Sequence, residues 1–159
     1  MDKQLEKQLM ACLLDSYKDF DNPDFAFVGQ KLYSDERCRL RGLLSKYDII
    51  DDTDLNYEVC QTFVARGKKA SNYLYISLVG SFYFIMNEVH VITKSNAERD
   101  IEISWIDKMD RAGMIMMDKN QLLHCLPVAM EMFDISEGGN NEKYSSVLHL
   151  FFCTRTLYS

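Results

Sequence analysis

The chain has 159 residues, 47% of them hydrophobic and 26% charged, with five cysteines and two prolines. This length and balance describe one globular domain over residues 1–159 with a core of its own, and exclude a mostly disordered chain, a collagen and a small disulfide-stapled fold. The net charge is −6 and the isoelectric point about 5.0, which argues against nucleic acid and anionic lipid as partners, because both reward a basic surface.

Residues 3–20 form an amphipathic pattern, with Leu5, Leu9, Cys12 and Leu13 on one stripe that Phe20 extends. Asn22 and Pro23 break it. Ser34 followed by Asp35, Glu36 and Arg37 marks a second helix start, and Leu40, Leu43, Leu44 and Tyr47 continue its face. Residues 49–55 read as an acidic loop. From Tyr57 the period changes to two, with Val59, Gln61, Phe63 and Ala65 alternating against Glu58, Cys60, Thr62, Val64 and Arg66. Residues 67–72 read as a turn, residues 73–79 as a strand, and Gly80-Ser81 as a bend. Residues 82–86 and 89–93 read as two more strands, joined by a hairpin turn at Asn87-Glu88.

Ser95 or Asn96 is placed to cap the next helix, with Glu98 closing a capping box. Ile101, Trp105, Met109 and Ala112 follow at helical spacing, and Gly113 suits the stop. Residues 114–117 form a short apolar strand. Asp118 with Gln121 starts another short helix, which Pro127 ends. Residues 128–133 and 144–153 read as two strands joined by a loop at 136–141. The expected fold is α+β: N-terminal helices, an antiparallel sheet of about five to six strands, and a helix packed on it.

Few residues suggest chemistry. The five cysteines, Cys12, Cys38, Cys60, Cys125 and Cys153, are scattered, with no C-x-x-C and no zinc spacing. They read as reduced, partly buried small side chains, which points to a reducing cytosol. The N-terminal residues lack the uncharged apolar stretch of a signal peptide. Residues 73–86, the most apolar run, are too few to cross a bilayer as a helix. His90 and His149 fall in expected strands without an orienting partner. His124 and Cys125 are adjacent and point apart, although Asp134 could partner His124 in space. No phosphate loop, H-E-x-x-H, calcium loop or G-x-S-x-G is present. Asp51, Asp52 and Asp54 lack the Gly and terminal Glu of a calcium loop. Glu98, Asp100 and Glu102 read as a solvated helix face. Tyr73, Tyr75, Phe82, Tyr83 and Phe84 read as core, as do Trp105 and Met114, Met116 and Met117. No catalytic residue, metal or cofactor is assigned.

The charge is uneven: residues 1–60 carry 13 acids and 8 bases, residues 61–159 carry 11 and 10. Lys68-Lys69 and the run Arg37, Arg39, Arg41 are too isolated to make a basic patch. The densest acidic stretch is Asp48, Asp51, Asp52, Asp54 and Glu58. Such a stretch attracts a basic partner. It is the expected contact surface, with Asp21 and Asp24 as possible additions.

One resemblance bears on the function. The strand run from Tyr73 to Tyr83, the helix ending near Gly113, the short strand, Asp118-Lys119-Asn120-Gln121-Leu122 leading to Pro127-Val128, and Val147-Leu148-His149-Leu150-Phe151-Phe152 together resemble the small immunity proteins of bacterial contact-dependent growth inhibition and other polymorphic toxin systems. The resemblance spans about residues 57–153 and rests on pattern, with no binding residue carried over. It implies a cytoplasmic protein that is no enzyme and that blocks one cognate toxin domain by covering it. Many such toxins are nucleases with basic surfaces, which an acidic face would match. Two other readings stand beside it: a small hydrolase or nuclease using the acidic loop, and a structural or adaptor protein.

Overall fold

Residues 1–44, 49–54, 58–67, 70–131 and 143–152 are described by a computed structural model. Helix α1 spans Lys3–Tyr17. The Asp2 carboxylate opens it by accepting the Gln4 amide at 3.2 Å, satisfying an otherwise orphaned donor. It ends at Lys18, whose φ of 64° turns the chain out of the helix, so the expected extension to Phe20 does not form. Helices α2, Phe27–Leu32, and α3, Asp35–Leu44, follow. The sequence reading missed α2, which is too short to show a period, but its Phe27, Val28 and Leu32 are buried.

The central sheet holds β1 (Ile49–Asp51), β2 (Cys60–Arg66), β3 (Ser71–Ser77), β4 (Phe82–Asn87) and β5 (Val91–Ile92), in that spatial order. Each is antiparallel to its neighbour. A sixth strand, β6 (Ile115–Met116), runs parallel to the first residues of β4. Helix α4, Asp100–Arg111, precedes β6, and Gly113 between them takes a φ of 73°, the left-handed geometry that favours glycine. Helix α5 (Lys119–Leu122), β7 (Cys125–Glu131), β8 (Lys143–Ser146) and α6 (Val147–Phe151) complete the described chain, with β7 and β8 forming a separate antiparallel pair.

Strand periodicity splits the core into two layers. Leu74 and Ile76 of β3 and Tyr83 and Ile85 of β4 face Leu40 and Leu44 of α3 and Trp105 and Met109 of α4. Tyr75, Phe82, Phe84 and Met86 face the other way, onto α1, α2, α5 and α6. Because both faces are covered, all six residues of β4 are buried. The α+β fold with N-terminal helices, a sheet and a packed helix is therefore present, with helices on both sides of the sheet. Polar bonds tie the layers: Tyr17 Oη donates to the Leu150 carbonyl at 2.8 Å and Ser77 Oγ to that of Phe151 at 2.8 Å. At the bend, a Cβ on Gly80 would stand 2.7 Å from the Phe82 ring and 3.2 Å from Cys12 Sγ, so only glycine fits without a shift.

Several local expectations are corrected. Residues 49–51 are a strand, not a loop, because Ile49 and Ile50 pair with Ala65 and Val64 before the acidic residues take over. The strand expected at 89–93 shrinks to β5, since Asn87 Oδ1 accepts the amides of Val89 and His90 and holds them in the turn. Asn96 caps nothing; its Oδ1 accepts the Thr93 amide in a turn. Glu102, not Glu98, closes the start of α4, accepting the amides of Glu98 at 3.0 Å and Arg99 at 3.1 Å. Pro127 lies within β7, where the register shifts between Cys125 and Met130. The strand expected at 144–153 ends at Ser146, whose Oγ accepts the His149 amide and starts α6. Val147, Leu148, Leu150 and Phe151 are all buried, so periodicity could not separate helix from strand. Tyr57, Phe133, the loop at 136–141 and Cys153 lie outside the described residues.

Candidate functional site

The acidic segment begins on the outermost strand of the sheet. Asp51 ends β1, with Oδ2 3.2 Å from Arg41 Nε on α3. Its Oδ1 accepts the Thr53 hydroxyl at 2.6 Å. Thr53 Oγ1 in turn accepts the Thr62 amide at 3.1 Å, standing in for the backbone carbonyl that would continue the ladder. The Asp52 amide donates to the Thr62 carbonyl at 2.8 Å, so the exposed Asp52 carboxylate sits on a fixed backbone. Asp54 is exposed too, and its carbonyl accepts the Glu58 amide at 3.0 Å.

Glu58 behaves differently from the three aspartates. It is half-buried, and its carboxylate accepts the Thr62 hydroxyl at 2.8 Å and faces the Cys60 thiol at 3.8 Å. Burial pushes its pKa up to about 7, with Asp54 and Asp52 adding to the rise and the bonds from Thr62 and Cys60 opposing it. The structure therefore brings Asp51, Asp52 and Asp54 together at the surface and turns Glu58 inward. Asp48 lies outside the described residues. Asp21 and Asp24 occupy the connection between α1 and α2, where Asp21 stands 3.8 Å from Lys143 and Asp24 accepts the Ala26 amide.

Arg41 is the member of this site that the sequence reading missed. Arg37 and Arg41 are four residues apart on α3 and share the stripe of Leu40 and Leu44. That spacing was the available signal. Arg37 is buried and donates to the Ser77 carbonyl, so it belongs to the fold, while Arg39 is exposed. Between α3 and β1, Arg41, Leu44, Ile49, Asp51 and Phe63 line a cleft of about 80 Å³.

The other candidates do not gather into a reactive set. His124, between α5 and β7, has Nε2 3.1 Å from Glu6 Oε2 on α1, while Cys125 is exposed beside it; Asp134 lies outside the described residues. His90 is exposed in the β4–β5 turn. His149 belongs to α6, not to a strand, and its Nδ1 lies 2.7 Å from Ser146 Oγ. That serine is buried and caps the helix, which explains the contact structurally. Burial lowers the His149 pKa. Cys38 and Cys125 are exposed, which corrects the reading of all cysteines as partly buried; Cys60 is buried and donates to the Phe152 carbonyl at 3.3 Å. Glu102 is 1% exposed, which corrects its assignment to a solvated face. Tyr75, Phe82, Tyr83, Phe84, Trp105, Met114 and Met117 are core, as expected. Among the described residues no three His, Cys, Asp or Glu side chains stand together as metal ligands, and no helix is long and apolar enough to cross a membrane. No family model, curated protein or solved structure matches the chain.

Proposed function

We propose that the chain binds a basic toxin domain and neutralises it by covering its working surface, as the resemblance to small immunity proteins implies. The observation that carries this reading is the row of exposed carboxylates on Asp51, Asp52 and Asp54 at the rim of the sheet. Arg41 pairs with Asp51. Carboxylates on a strand-anchored backbone lose little freedom on binding, and their field speeds encounter with a cationic surface. The protein works in the cytoplasm in this reading, and its inhibition involves no bond making. The tagged full chain, used as bait in its native host, should capture one basic protein. Adding the purified chain should then abolish that protein's activity in proportion to the amount added. Self-assembly with no captured partner, or a captured protein whose activity is unaffected, would contradict the proposal.

A further inference from the structure

The ladder of β1 shows which of its backbone groups are already used. The Asp52 amide bonds to the Thr62 carbonyl, so that pair is a hydrogen-bonded one. Bonded and non-bonded pairs alternate along an antiparallel ladder. The Ile50–Val64 pair is then bonded as well, and the Ile49–Ala65 and Asp51–Phe63 pairs are not. Ile50 therefore spends its N–H and C=O on β2, while Ile49 and Asp51 direct theirs outward. β1 is the terminal strand of the sheet, so among the described residues nothing pairs with those outward groups. An open row of donors and acceptors is a template for another strand.

We propose that this edge accepts an extended, basic segment of the partner as an additional strand. One aliphatic side chain of that segment would enter the cleft between α3 and β1, against Leu44, Ile49 and Phe63. Main-chain bonds supply affinity in such an addition, and a side-chain pocket beside the edge supplies specificity. The charge of the occupant follows from its neighbours. Asp51, Asp52 and Asp54 are exposed at the same end of the strand, so cationic residues flanking the aliphatic one are matched and acidic ones are repelled. Ile50, 43% exposed, offers apolar contact on the opposite face of the strand. The inference rests on the basic-partner reading for the charge of its occupant, and adds the mode of contact.

The test uses the full chain and an alternating Lys–Val peptide as probe, with residue-resolved amide exchange as the readout. In the free protein the Ile50 and Asp52 amides should be protected and those of Ile49 and Asp51 should exchange freely. Adding the peptide should slow exchange at Ile49 and Asp51 by about tenfold or more and leave Ile50 unchanged. A peptide of equal charge with proline in place of every valine lacks the N–H donors that would face Ile49 and Asp51, and should give no protection. Ile49→Pro removes one outward donor and keeps the bonds of Ile50. It should lower affinity for the alternating peptide at least about fivefold more than Ile49→Val does, with Asp52 protection showing that the ladder is intact. Salt-sensitive binding of both peptides without protection at Ile49 and Asp51 would overturn strand addition and leave the basic-partner reading standing. No binding of either peptide would also overturn strand addition. The basic-partner reading fails separately, on the capture and inhibition experiment.

Discussion

The Glu58 carboxylate accepts the Thr62 hydroxyl at 2.8 Å across one face of the start of β2, and this contact holds an acidic side chain out of the surrounding solvent. Its folded pKa of about 7 lies above the ordinary value of 4.5. The folded chain therefore holds this proton more tightly than the unfolded chain does. The stability it contributes is complete below pH 4.5 and is lost as the pH rises through about 7. Urea unfolding at pH 5 and pH 8 should show wild-type stability falling by on the order of 2 kcal/mol from this group. Glu58→Gln should remove most of that slope. His149, whose pKa burial lowers, works in the opposite sense: its contribution is lost as the pH falls below about 6.5. Both proteins carry it, so it cancels in the comparison. Equal slopes in the two proteins would refute the assignment.

Trp105 is fully buried between α4 and the sheet, and its indole N–H makes no hydrogen bond among the described residues. The side chain therefore contributes by volume. Trp105→Ala should cost about 3–5 kcal/mol, the range for emptying a large core site. Trp105→Phe loses less volume and no hydrogen bond, so its cost should stay below about 2 kcal/mol. Chemical denaturation of both variants checks the ratio. A phenylalanine variant as damaged as the alanine one would point to a polar role for the indole.

Glu102 is a buried carboxylate with structural work to do at the start of α4, where it accepts two backbone amides. Arg99 Nε lies 3.9 Å away and supplies a cation at the rim. Glu102→Ala orphans both amides and should cost about 2 kcal/mol. Glu102→Gln keeps an acceptor oxygen and should cost less. A thermal melt of each variant reads the difference, and an inverted order would contradict the capping role.

Much of the fold was legible because its signals are local. The alternation through β2, the β-forming residues of β3 and β4, the Gly113 stop and the Asp118–Gln121 capping pair are written within a few residues of where they act. What escaped depends on partners far along the chain. β1 is only three residues long and exists because Ala65 and Val64 receive it. Helix α6 reads equally as a strand until Ser146 is seen capping it. The acidic density of residues 51–54 was plain, but Arg41 opposite Asp51 and the inward turn of Glu58 required the tertiary structure. Composition counts Glu58 with the surface aspartates; its contacts with Thr62 and Cys60 separate it from them.

The central claim, that the exposed aspartates steer a basic partner onto this edge, is tested most directly by association kinetics. Asp52→Lys with Asp54→Lys is the informative variant, because both residues are exposed. Against the captured partner at low ionic strength, the double variant should associate at least about tenfold more slowly than wild type. The gap should narrow as salt is raised past about 0.15 M, where screening acts within about 8 Å. Equal association rates at low salt would contradict the account.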